Sequence, residues 1–271
     1  MDTGPSLAPA CLPVPSTCWR YRDDDPLARD TEVAVEWPVN IRYGSLPYAV
    51  MMATPLDLED FVTGFSLTEG IIESAGEIRG IDIIAEPEAI TLEVNLAPDR
   101  FRTHLGRQRR LSGRTSCGVC GIEDASQLPR ARPGPARRAS LGATAVATAV
   151  ATIKNHQPLH GRTRSVHAAA WSDLDGRILM AREDVGRHNA LDKLIGAVLR
   201  AGLSPAEGFI VVTSRASFEM VEKASILGAP ALVSVSAPTS LAISRAQASG
   251  LILVSVARDD GCEVFVGSLD G

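Results

Sequence analysis

The feature that most limits what this chain can fold into is a regular alternation of short apolar runs and amphipathic segments in its second half. Ile178-Leu179-Met180-Ala181, Phe209-Ile210-Val211-Val212, Leu232-Val233-Ser234-Val235 and Leu251-Ile252-Leu253-Val254 are too short for buried helices and apolar enough for strands covered on both faces. Between them, Leu191, Leu194, Ile195, Val198 and Leu199 recur at helical spacing up to Gly202. A second such face, Phe218, Val221, Ala224 and Leu227, stops at Gly228, and a third helix is predicted from about Thr239 to Ser249. Strand and helix in repeated alternation predict a layered α/β domain with a mostly parallel sheet, placed here at residues 145–271.

The first part of the chain has another texture. Residues 1–30 carry Pro5, Pro9, Pro13, Pro15 and Pro26 without periodicity and are expected to form a mobile leader. Val33-Ala34-Val35, Ile41-Arg42-Tyr43, Ala49-Val50-Met51-Met52, Ile81-Asp82-Ile83-Ile84 and Ala89 to Asn95 predict strands. Thr54-Pro55-Leu56-Asp57 predicts a helix start, with Leu58, Phe61, Val62 and Phe65 as its core face and Gly70 as its end. A smaller α+β region therefore spans 31–128, and Pro129, Pro133, Gly134 and Pro135 mark a loop at 129–144.

In α/β domains ligands bind where strands end and helices begin, because helix N-termini present free N–H groups. Three of these junctions are polar: Arg182-Glu183-Asp184-Val185-Gly186-Arg187-His188-Asn189, Thr213-Ser214-Arg215-Ala216-Ser217 and Ser236-Ala237-Pro238-Thr239-Ser240. Converging on one edge of a sheet, they would suit a phosphorylated ligand; taken singly, their Ser and Thr residues are also ordinary helix caps. His188 fits a general base, a metal ligand or a hydrogen-bonded core residue, and His167, at the head of the small-residue run Ala168-Ala169-Ala170, is ambiguous.

Chemistry points elsewhere, to Cys117-Gly118-Val119-Cys120. Two thiols at this spacing can share a metal, a disulfide or a sulfur atom in transit. Of five cysteines, Cys11 and Cys18 lie in the leader and Cys262 stands alone, so the odd count argues for reduced thiols rather than a disulfide framework. Ten arginines and two acids between Arg100 and Arg138 give that segment about +8, in a chain whose total is −5. Clustered guanidinium groups favour phosphate or carboxylate partners and lower the pKa of a neighbouring thiol. The pattern argues against zinc-deaminase chemistry, since Ser116 precedes Cys117 and no His-x-Glu occurs, and no metal site is expected. No run approaches the roughly 18 apolar residues of a membrane span, and the N-terminal stretch lacks a secretory pattern, so the expected location is the cytoplasm.

Taken with Pro55 to Phe61, Thr68 to Ile72, His167 to Ala170, Glu183 to Lys193, Ser214 to Ser217 and Ser236 to Thr239, the Cys-x-x-Cys resembles the formate dehydrogenase accessory sulfurtransferases, from about Glu32 to Val266. The resemblance implies a domain like that of cytidine deaminases, a homodimer, and no nucleic-acid polymer or membrane as partner. It implies that Cys117 and Cys120 take persulfide sulfur from a cysteine desulfurase and pass it to the molybdenum (or tungsten) bis-pyranopterin guanine dinucleotide of formate dehydrogenase, bound as substrate. The implied cofactor contacts are Asp184, Arg187, His188, Asn189, Ser214, Arg215, Ser217, Ser236, Pro238 and Thr239, with Val256, Ala257, Arg258, Asp259, Asp260 and Gly261 after the last long strand. The chain departs from the family pattern at Arg162-Thr163-Arg164-Ser165, where a Gly-rich turn is usual, and at Val256, near which an aromatic is usual. The alternative is a protein that binds and inserts the cofactor without sulfur chemistry.

Overall fold

The computed structural model describes residues 7–20, 25–108 and 141–270. In chain order the elements are β1 (Cys11–Cys18), β2 (Leu27–Ala34), β3 (Trp37–Tyr43), β4 (Leu46–Ala53), α1 (Leu58–Thr68), β5 (Ile78–Ala85), β6 (Ile90–Leu96) and α2 (Pro98–Gln108). After residue 140 come α3 (Ala143–Thr152), α4 (Pro158–Thr163), β7 (His167–Asp173), β8 (Ile178–Asp184), α5 (Arg187–Arg200), β9 (Gly208–Val212), α6 (Phe218–Leu227), β10 (Ala231–Ser234), α7 (Ser240–Ser249), β11 (Ile252–Arg258) and β12 (Gly261–Val266).

The second half is the layered α/β domain. Its sheet runs β12-β11-β10-β9-β7-β8. The apolar runs β9, β10 and β11 are parallel neighbours, whereas β7, β8 and β12 pair antiparallel, so "mostly parallel" narrows to the centre of a mixed sheet. One sheet face buries Ala170, Phe209, Val211, Val233 and Val254 under Val146, Ala149 and Val150 of α3. The opposite face packs under α5, α6 and α7. Helix α3 begins inside the span expected to be loop, as its Ala/Thr/Val sequence carries no strong punctuation.

The N-terminal part forms a second sheet, ordered β4-β3-β6-β5. Pro38 lies within β3, where pairing with β6 begins only at Val39, so its missing N–H removes no bond on that side. The expected leader needs correction: Cys11 to Cys18 pair in register with Leu27 to Ala34 as an antiparallel hairpin. Its prolines alternate at 13 and 15, on an edge strand where proline is tolerated. The helix start is also corrected. Asp57, at φ 51°, is the residue before α1, and Thr54 is fully buried with a different role described below.

Helix α1 joins the two sheets into one continuous core. It crosses α5 at two glycines, where a Cβ on Gly64 would stand 1.9 Å from the Asp192 carbonyl oxygen and one on Gly196 1.8 Å from that of Asp60. Only hydrogen fits between the backbones. Beside the crossing, the Asp60 carboxylate receives Arg182 Nη2 at 2.7 Å and Arg200 Nη1 at 2.6 Å, which ties α1 to β8 and to α5.

Candidate functional site

Topology puts the polar junctions on one edge. Because β7 is antiparallel to both β8 and β9, β8 and β9 run the same way. The ends of β8, β9, β10 and β11 therefore line one edge of the sheet, and the start of β7, His167, joins them there, paired with Asp184.

The first junction is built inward. Asp184 is fully buried, and its carboxylate accepts from Thr54 N (2.9 Å), Gly186 N (2.8 Å) and Asn189 Nδ2 (3.0 Å). Lys193 Nζ completes it at 2.7 Å, with neither side chain exposed. Asn189 also donates to Met52 O, Thr54 Oγ1 accepts from Val185 N, and Lys193 donates to Thr54 O. Glu183 is spent as well, accepting Leu159 N and His160 N at the start of α4, each at 2.8 Å. The Asp184 carboxylate and the Asn189 amide nitrogen, on residues expected as ligand contacts, thus hold the turn to β4. A Cβ on Gly186 would stand 2.9 Å from Asn189 Nδ2, so this tight turn takes glycine. What it presents is Arg187 and His188, the first residues of α5.

The other junctions are stitched together. Thr213 Oγ1 accepts from Ala168 N, and Ser234 Oγ lies 2.6 Å from the Ser214 carbonyl and 2.9 Å from that of Ser236. Ala216 bridges Pro238, and Thr239 N donates to Ala216 O while its hydroxyl caps α7 through Ala242 N. Val256 N donates to Ser236 O. Val256 has φ 51°, a strained value for a β-branched residue, at the point where register is lost before the Arg258–Gly261 pair. Arg215, Arg258, Asp259, Asp260 and Gly261 are exposed, and Ala257 is buried.

Against this framework, four atoms at the edge are buried without a partner among the described residues: Arg187 Nε, His188 Nε2, Ser217 Oγ and Ser255 Oγ. Ser217 precedes α6 yet does not cap it. Buried polar groups are nearly always paired, and unpaired ones clustered at a sheet edge mark a place for a ligand's polar atoms. The electrostatics favour an anion. Burial first, then Arg187 and Lys223, holds His188 down at about 4, and burial with Arg187 and His160 lowers His167. Both imidazoles are therefore neutral near neutral pH beside a permanent guanidinium.

Lys223 gives its ammonium to both Asp192 oxygens at 2.8 Å and to Thr68 Oγ1 at 2.9 Å. Burial raises the Asp192 carboxyl, with Lys223 opposing. Sequence reasoning missed Glu219, Lys223 and Ser255; the first two were legible as charges four apart on an otherwise apolar helix face. Cys117, Cys120 and the arginines from 109 to 138 lie outside the described residues. Among the described residues no three His, Cys, Asp or Glu side chains converge as a metal site, and no helix is long and apolar enough to cross a membrane.

Residues 34–269 match the FdhD/NarQ family. The sulfur carrier protein FdhD of Xanthomonas euvesicatoria pv. vesicatoria (strain 85-10) is 45% identical over 249 residues, 92% of this chain and 89% of that protein. The protein of the same name from Bordetella petrii is 43% identical over 233 residues, 86% and 84% of the two chains. The crystal structure of a protein assigned as a formate dehydrogenase accessory protein, from Desulfotalea psychrophila, superposes with a TM-score of 0.74 at 26% identity, covering 96% of this chain and 98% of that one.

Proposed function

The chain belongs to the FdhD/NarQ family, and from that premise we propose that it is a sulfurtransferase of formate dehydrogenase maturation. In this reading it acts in the cytoplasm as a homodimer. It takes sulfur from a cysteine desulfurase onto Cys117-Gly118-Val119-Cys120 and delivers it to the bis-pyranopterin guanine dinucleotide cofactor, molybdenum- or tungsten-bearing, of a formate dehydrogenase catalytic subunit. A thiolate of the pair attacks the outer sulfur of the donor persulfide. A new S–S bond forms, the donor's S–S bond breaks, and its electron pair leaves on the desulfurase thiolate. The second thiolate can then attack the inner sulfur, closing a Cys117–Cys120 disulfide and releasing sulfide to the cofactor. A cellular dithiol returns the pair to its starting state.

The observation that carries the cofactor half of the reading is the set of unpartnered buried atoms, Arg187 Nε, His188 Nε2 and Ser217 Oγ, at adjacent strand-to-helix turns. They suit the phosphates of a guanine nucleotide, with Arg215, Pro238, Thr239 and the turn from Val256 to Gly261 as the surrounding wall. The sulfur half is tested by intact-mass measurement after incubation with a desulfurase and cysteine. One added sulfur is expected on the wild type, none on Cys117→Ala, Cys120→Ala, and no effect from changing Cys11, Cys18 or Cys262. If the double variant matures an active formate dehydrogenase in cells lacking the native protein, sulfur transfer is wrong and the cofactor-carrier alternative replaces it.

A further inference from the structure

Glu219 has the wrong sign for a site that takes an anion. It lies in the first turn of α6 with its side chain 23% exposed, and its Oε2 is 4.0 Å from His188 Nε2. Among the described residues, its two nearest basic neighbours on α5 and α6 are uncharged or occupied, and it forms no salt bridge with Arg187. His188 is held neutral near neutral pH. Lys223, one helical turn on, is committed to Asp192 and Thr68. Asp184, a fully buried carboxylate of this edge, is cancelled by Lys193. A half-buried carboxylate with no Lys or Arg salt bridge among the described residues, next to atoms that await an anion, repels phosphate and is matched by a part of the ligand that carries N–H donors.

Resting on the nucleotide reading above, we propose that Glu219 accepts the two adjacent N–H donors of a 2-amino-4-oxopyrimidine edge, the edge that guanine and pterin rings share. The two carboxylate oxygens match a ring N–H beside an exocyclic amino group, as they match the fork of a guanidinium. Adenine offers an acceptor at the ring position and is rejected, because a carboxylate facing an acceptor lone pair is left buried and unpaired. Arg187 and Ser217 then take the phosphates while Glu219 sets which base is accepted. Glu219 is thus a specificity-determining residue rather than a group that reacts.

The experiment is calorimetric titration of the full chain with GDP and with IDP, which lacks only the exocyclic amino group, and separately with 6-hydroxymethylpterin. One charge-assisted hydrogen bond is worth a preference of about 10- to 100-fold, so the wild type should prefer GDP to IDP by that factor. Glu219→Gln, which turns one acceptor into a donor, should collapse the ratio to about one. Glu219→Ala should collapse it too, with IDP itself weakened by the loss of its ring N–H bond, and an unchanged circular-dichroism melting curve shows that both variants are folded. If the pterin is the ring that is read, pterin binding falls by the same factor in both variants while GDP and IDP bind alike throughout. If neither ring's binding depends on Glu219, the assignment is overturned and the nucleotide reading stands. Failure of the wild type to bind GDP, IDP and the pterin overturns both.

Discussion

Lys193→Met should be among the most damaging single changes in this protein. The ammonium and the Asp184 carboxylate meet at 2.7 Å with no exposure of either side chain. Removing one partner of a buried pair costs about 3–5 kcal/mol, because the remaining charge is stranded. Asp184 keeps N–H donors from Thr54, Gly186 and Asn189, which places the carboxylate's share near the lower end. The Thr54 carbonyl, fully buried, loses its Lys193 donor at 2.9 Å and adds about 1 kcal/mol. A total of about 4 kcal/mol corresponds to a fall in Tm of about 8–16 °C for a chain of this size. Differential scanning calorimetry reads it directly, with exposed Lys154→Met as a control expected within about 0.5 kcal/mol of wild type. Adding Asp184→Asn to Lys193→Met removes the stranded charge and should leave the double variant well above the sum of the single losses. A Tm within about 3 °C of wild type for Lys193→Met would refute the reasoning, since it would mean that the carboxylate finds water or a proton at little cost.

Gly196→Ala should cost more than about 3 kcal/mol, beyond ordinary overpacking, because its Cβ meets the Asp60 backbone at 1.8 Å; Gly161→Ala, with nothing within 4 Å in α4, should be neutral or slightly stabilising in the same urea titration. His167 and His188 have folded-state pKa values below the ordinary 6.5, His188 at about 4, so the unfolded chain takes up protons first as pH falls. The stability they contribute is fully present above about 6.5 and is lost towards about 4; the double variant His167→Gln, His188→Gln should therefore show a shallower loss than wild type across that window, and an unchanged slope would be a contradiction.

The parts of the fold that were legible in the sequence are those with strong local periodicity. Phe209 to Val212 and the face from Leu191 to Leu199 announce a buried strand and a covered helix, and Gly228 ends α6 at φ 88°. Direction was not legible. An apolar run buries equally well in a parallel or an antiparallel neighbourhood, and β7 as an antiparallel insertion between β8 and β9 follows from the short turn at Asp173 to Arg177, where Gly176 takes φ 91°. The hairpin of β1 and β2 was hidden because alternating prolines erase the usual strand signal on an edge. The α1 and α5 crossing was hidden for another reason: a glycine inside a helix lowers propensity whether or not a backbone lies against it, and only the 1.8 Å approach tells the two cases apart.

The site shows the same limit in sharper form. Along Glu183-Asp184-Val185-Gly186-Arg187-His188-Asn189 every polar residue has the same claim to a ligand when only spacing is known. Folding divides them by direction. Glu183 and Asp184 accept from N–H groups and Asp184 pairs with Lys193, Asn189 donates its amide to Asp184 and to Met52 O, and each of these bonds fixes the turn that carries the others. Arg187 Nε and His188 Nε2 are what remains when that accounting is closed, with Ser217 Oγ from the next junction. A buried donor left over after its neighbours are satisfied costs stability, about 1–3 kcal/mol each, in a turn that spends several bonds on holding it there. Such a cost is recovered where a ligand binds, so in the proposed reading these leftover atoms, more than the richness in polar residues, are the reason to look for the ligand's charge beside α5 and α6.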